Sequence, residues 1–257
     1  FRPSDVCVGP DGAVYVADWF DARVGGHADL DDSTSGAIYR IAPRGFKPKI
    51  AKLNLKKSQG QLEALKSPAV NVRTLGFNAL KEQGGGKAVS TASKLLSDKS
   101  HYIQARGVWA LASLGRAGLG KVEKELADKD PNIRVAAFRA LRQHDRNVLI
   151  HARRLANDPA PAVRREVALA MRDVKFDDAR DILVKVAQGY DGMDRHYLEA
   201  IGLGSKGKES KVFEAIAKAM GGDTAGPRWS PEFARIAWRL HPESSVSALR
   251  SRALATS

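Results

Sequence analysis

At 257 residues, 43% of them hydrophobic and 28% charged, the chain is long enough for a substantial core and for one to two domains. No apolar run approaches the roughly 18–20 residues needed to cross a bilayer, and a single cysteine, Cys7, excludes an intramolecular disulfide, a CxxC pair and a CxxCH haem site within this sequence. Net charge is +13 but uneven: residues 1–46 hold four Arg against seven Asp, a balance of −3, which leaves +16 on the remainder.

Residues 4–18, SDVCVGPDGAVYVAD, are two short β-branched runs around Pro10-Asp11-Gly12. Pro presets one dihedral angle and Gly accepts a positive one, so this is a turn between strands. A third run, AIYRI at 37–41, completes three antiparallel strands, with Phe20–Ser35 as a long loop. Such a sheet needs one face covered, and its natural cover is not in this sequence. Cys7, flanked by valines, reads as a small core residue. The chain opens inside a strand pattern, with neither an initiator Met nor a basic-then-apolar leader. That reads as a fragment of a longer protein, whose missing part would carry any export signal.

The loop holds Asp18, Asp21, His27, Asp29, Asp31 and Asp32. Clustered carboxylates supply oxygen ligands to Ca²⁺, yet DLDDST lacks the Gly and closing Glu of a twelve-residue calcium loop. A solvated acidic loop is the stronger reading, and a contact with absent neighbouring strands is the third. His27 has no paired acid or second His in its motif, so no catalytic role is assigned to it. Residues 47–57, KPKIAKLNLKK, carry five Lys and no acid. They read as a solvated basic linker, with an anionic contact as the alternative.

From residue 58 a frame recurs: a Ser or Asp, an Arg or Gln six residues on, then after six more a small residue beside a large aliphatic one. Ser67, Arg73, Ala79 and Leu80 fit it, as do Asp98, Gln104, Ala110 and Leu111, then Asp128, Arg134, Ala140 and Leu141. Asp158, Arg164, Ala170 and Met171 follow, and more loosely Gln188, Asp194, Ala200 and Ile201. The aliphatic positions step by 31, 30, 30 and 30 residues, and a degenerate sixth copy ends at Leu240, 39 residues on, with GGDTAGPRW as the insertion. A fixed period of this size marks a solenoid. Second apolar segments such as Val122–Leu126 and Ile182–Val186 make each unit a helix pair, which buries its apolar stripe only by stacking on neighbours. Pro131 and Pro159 sit where second helices begin. GGGK at 84–87 lacks the strand and the Lys-Ser/Thr ending of a P-loop and reads as an inter-repeat turn. The expected fold is mainly α: a solenoid of about six helical repeats over 58–257, after a small antiparallel sheet.

Arg73, Arg134 and Arg164 at one phase, with Asp98, Asp128 and Asp158 at another, read as a structural ladder in which each Arg bridges an Asp and main-chain carbonyls of the neighbouring repeat. An anion-binding row is the weaker reading, because Gln104 and Asp194 interrupt it. Lys121, Lys124, Arg153, Arg154 and Arg165 are candidate polyanion contacts, since a basic solenoid face can follow a phosphate backbone. Trp109, Phe138, Phe176 and Trp238 fall on apolar helical phases, where core packing outranks base stacking.

Two resemblances follow. Ile133–Leu141 and Val163–Met171 resemble the VRxxAxxAL signature of HEAT-like repeats. The series FRPSDVCVGPDGAVYVADWFD, GGH and SGAIYRIAPRG resembles the last blade of a β-propeller. It is most similar to the planctomycete–verrucomicrobial membrane-bound dehydrogenases, distant relatives of quinoprotein glucose and sorbosone dehydrogenases; PEFARIAWRLHP at 231–242 is similar to that family's repeat region. The resemblance implies 1–46 as a partial blade, 47–57 as a linker and 58–257 as the repeats. It also implies an exported, periplasmic parent with a quinone such as PQQ in its propeller and haem c in a following domain. Most of the propeller and the haem domain are missing, so no cofactor is expected in this chain. The expected role is a non-catalytic scaffold for a protein partner or for the parent's other domains, and the alternative is a basic solenoid binding nucleic acid or another polyanion.

Overall fold

Three strands open the chain: β1 (Pro3–Val8), β2 (Val14–Asp18) and β3 (Ala37–Ile41), antiparallel and paired in chain order. The structure, a computed structural model, describes residues 3–19, 36–47, 52–144, 146–221 and 225–255. Asp21, His27, Asp29, Asp31 and Asp32 of the acidic loop therefore lie outside the described residues, and Asp18 closes β2. By compactness the chain divides into Phe1–Ala117 and Gly118–Ser257.

In the first unit, Gly12 takes φ +85° in the β1–β2 turn, as the Pro-Asp-Gly sequence requires. Asp11 is buried there; it accepts from the backbone N–H of Ala13, the Tyr15 hydroxyl and the Arg40 guanidinium, tying the turn to β3. Burial alone would raise its carboxyl pKa, but these three donors outweigh it and hold the group below the usual carboxylate range. The register places Val6, Val16 and Tyr39 in one row and Val8, Val14 and Ile41 in another on the same face. Val6, Tyr39 and Ile41 on the outer strands are exposed, while Val16 between Val6 and Tyr39 is buried. Cys7 is exposed as well, opposite Tyr15 on the other face, which corrects its reading as a core residue.

Four helices follow in this unit: α1 (Ser58–Lys66), α2 (Val70–Gln83), α3 (Gly85–Ser93) and, after a 3-10 turn at Lys94–Ser97, α4 (His101–Ala112). Gly84 and Gly85 take positive φ between α2 and α3, so GGGK is the expected turn. Leu80 and Leu111 are fully buried. Close approaches lie four residues before them: a Cβ on Gly76 would meet the Ala64 Cβ at 2.6 Å, and one on Gly107 the Leu95 Cβ at 2.8 Å.

In α5 (Gly115–Glu125), Gly118 and Val122 are buried. The second unit then runs α6 (Pro131–Gln143), α7 (Val148–Leu155), α8 (Pro161–Ala170), α9 (Phe176–Gln188), α10 (Arg195–Gly204), α11 (Glu209–Met220), α12 (Pro231–Leu240) and α13 (Val246–Ala255). Helices α6, α8, α10 and α12 pack in succession as one layer, and α7, α9 and α11 as a second. This is the expected helical-repeat fold. Leu141, Met171, Ile201, Ile182, Val212 and Ile236 fill the space between layers with 1% exposure or less, each such side chain contributing about 1.5–3 kcal/mol. Pro131 and Pro161 occupy the first helical turn, where a missing N–H costs nothing; α8 thus begins at Pro161, two residues past Pro159. The insertion is anchored by Trp229, which packs edge-on against Phe233 and beside Phe213, and its 3-10 turn at Gly226–Arg228 packs on α13.

Candidate interaction face

The recurring Asp/Ser-to-Arg/Gln frame has a main-chain explanation. At the first position a side-chain oxygen accepts from the backbone N–H two residues on: Ser67 from Ala69, Asp98 from Ser100, Asp128 from Asp130 and Asp158 from Ala160, at 2.7–3.2 Å. Six residues later the long donor returns to the carbonyl of that first residue. Arg73 reaches Ser67, Gln104 reaches Asp98, Arg134 reaches Asp128 and Arg164 reaches Asp158, at 2.5–3.0 Å. A turn that enters the second helix is thereby satisfied at both ends.

A carboxylate ladder between repeats is present at some rungs only. Arg134 grips Asp158 with two bonds, 2.8 and 2.6 Å, and both residues are buried. Asp98 pairs instead with Lys66 at 2.6 Å, whose ammonium holds the Asp98 carboxyl below its ordinary range. Arg164 donates to the Gly189 carbonyl and the Tyr197 hydroxyl, and that hydroxyl in turn donates a hydrogen bond to the Val186 carbonyl at 2.7 Å. In the fifth copy Asp191 takes the turn role, accepting from Met193, while Asp194 caps α10. The expected Asp–Arg row is corrected accordingly: main-chain clamps repeat, and the ion pair is one way of joining neighbours.

The candidate polyanion residues do not converge. Lys121 and Lys124 lie on α5, and Arg153 and Arg154 on α7, in exposed positions. Arg165 lies on α8, in the other layer, where it holds Asp194 at 3.2 Å.

What the second-helix layer presents is a groove. Across α6, α8 and α10 a cleft of about 560 Å³ is lined by Val135, Leu169 and Leu203, with Arg139, Glu166 and Glu199 among its polar walls. Leu169 and Leu203 also line an adjoining cleft of about 730 Å³ with Val148, Leu149 and Val174. Glu166 is 3% exposed and takes Arg139 at 2.7 Å and Arg142 at 3.4 Å; on the next pair Arg239 takes Glu199 at 2.8 Å. These charges are spent on joining helices, while Leu203 and Trp238 remain open to solvent. Trp109 and Trp238, expected in the core, are 39% and 68% exposed. Their phase lies one step outside the buried stripe, whereas Phe138 is fully buried as expected. Among the described residues no three His, Cys, Asp or Glu side chains converge as a metal site, and no helix is long and apolar enough to cross a membrane.

No family model matches the chain, and no curated protein matches it. Among solved structures, YibA of Escherichia coli is 15% identical over 77% of this chain and 86% of its own, with a TM-score of 0.35; a likeness this loose carries no argument.

Proposed function

We propose that the chain is a non-catalytic helical-repeat scaffold that holds a protein partner along its second-helix layer. The observation that carries this reading is the open apolar floor at Leu169 and Leu203, with Trp238 on the neighbouring helix, in a layer whose buried charges are already paired. Contiguous exposed apolar side chains rimmed by polar ones mark protein-interaction sites, and Trp and Arg are the residues that anchor such interfaces. The exposed Val6, Tyr39 and Ile41 on one face of the sheet support a second contact of the same kind, with another β-sheet packed face to face on it. In the parent that the blade resemblance implies, the repeats would link a quinone-dependent propeller to a c-type haem domain outside the cytoplasm. The alternative, a basic track for nucleic acid or another polyanion, has the net charge in its favour but divides its cations between two helix layers.

The test is affinity purification from the cell that makes the protein, comparing the native chain with Leu203→Glu/Trp238→Glu. A discrete protein partner that is lost on substitution, with the melting temperature unchanged, is the expected result. A partner retained by the variant, or nucleic acid in its place, overturns the reading.

A further inference from the structure

A cluster of positive charge borders the face just described, sharing Arg172, Asp173 and Val174 with its wider cleft. It lies where the α8–α9 and α10–α11 connections run side by side, around a cleft of about 520 Å³. Arg172, Lys175, Lys206, Lys208 and Lys211 line it, against only Asp173 and Glu209. Among the described residues, none of these five cations has a carboxylate within 4.0 Å. Lys208 instead donates to the Arg172 carbonyl at 3.0 Å, and Lys211 lies 5.8 Å from the centre of the Phe176 ring.

The cations gather beside two helix N-termini, whose first turns also carry Asp177, Asp178 and Glu209. Lys175 and Lys208 are the N-cap residues of α9 and α11, where the helix dipole disfavours a cation, and neither makes a side-chain cap hydrogen bond. Burial lowers the Lys208 ammonium pKa, and the neighbouring Glu209 and Asp173 do not restore it. Five cations around one concavity, beside the N-terminal ends of two helices, are what an anion with several oxygens would neutralise.

We propose that this cleft binds a compact, multiply charged oxyanion of the phosphate type. The cations converge on one depression instead of tracking along the molecule, which suits a phosphate or pyrophosphate group and not an extended strand. The site shares Arg172, Asp173 and Val174 with the scaffold's wider cleft but uses neither Leu203 nor Trp238, so separate substitutions test the two readings.

Calorimetric titration with inorganic pyrophosphate, at ionic strength held constant with sodium chloride, tests it. The native chain should bind and gain thermal stability relative to chloride alone. Lys206→Ala/Lys211→Ala should lose about tenfold or more in affinity per charge removed, yet melt no lower than the native chain in pyrophosphate-free buffer. Lys206→Arg/Lys211→Arg should bind like the native chain. Lys121→Ala/Lys124→Ala, which removes the same charge from α5, should also bind like it. Absence of binding by the native chain, equal weakening by both alanine pairs, loss of binding by the arginine pair, or unchanged affinity after the cleft substitution would each overturn the assignment.

Discussion

Arg134 on α6 and Asp158 in the turn before α8 meet through two parallel hydrogen bonds, Nε to Oδ2 at 2.8 Å and Nη2 to Oδ1 at 2.6 Å, in a position where each is 8% exposed. The same guanidinium closes its own repeat by donating to the Asp128 carbonyl. Arg134→Met therefore strands a buried carboxylate and a carbonyl at once, and should cost about 3–5 kcal/mol in urea unfolding. Asp158→Ser keeps the turn bond, as Ser67 does natively. The double variant should be clearly more stable than the sum of the singles predicts; additivity would mean that the pair is not coupled.

Close helix approach gives a contrast between two glycines. Gly107→Ala places a methyl 2.8 Å from the Leu95 Cβ and should destabilise by about 1–3 kcal/mol. Gly120→Ala, where nothing lies within 4 Å, should stabilise by about 0.5–1 kcal/mol through helix propensity. Thermal melts of both variants check the opposite signs.

Gln104 keeps the six-residue clamp where its neighbours in the frame have Arg, donating to the Asp98 carbonyl at 2.7 Å. Gln104→Ala should cost about 0.5–1.5 kcal/mol. Gln104→Arg should leave stability within error of the native value, because a longer donor reaches the same carbonyl in three other copies.

His151 supplies a pH signature. Burial lowers its pKa, the main cause; Glu123 raises it, and Arg154 and Arg146 lower it further. Its Nε2 is buried without a hydrogen-bond partner, and Glu123 is 3.9 Å away. The unfolded chain takes up this proton first, so stability is full above about pH 6.5 and falls as pH drops towards the folded pKa. His151→Leu should flatten that part of the profile, read as the difference between native and variant unfolding free energies from pH 8 to pH 5. An unchanged slope would show that His151 does not titrate on unfolding.

The period of 30–31 residues was readable because Leu80, Leu111, Leu141, Met171 and Ile201 all had to be buried at one phase, and all are. The Asp-to-Arg spacing was readable too, but its cause was not. Residue types alone cannot say whether an Arg six residues on meets a carboxylate or a carbonyl, and the Gln at 104 was the signal that the carbonyl is the common partner. Gly76 and Gly107 carried a second signal, four residues before the aliphatic, that attention to Ala79 and Ala110 passed over. Trp109 and Trp238 were misplaced because a helical phase has a width: a residue one step off the stripe can still face solvent. The basic cleft was illegible for another reason, since Arg172–Lys175 and Lys206–Lys211 are separate segments, the second running into α11, that only the stacking of α8–α11 brings together.

A photo-cross-linking amino acid placed at position 203, and separately at position 154 on the other layer, tests the scaffold account most directly in the cell that makes the protein. The account predicts a discrete adduct with one protein from position 203 and none from position 154. Adducts from 154 alone, or with nucleic acid from either position, would contradict it.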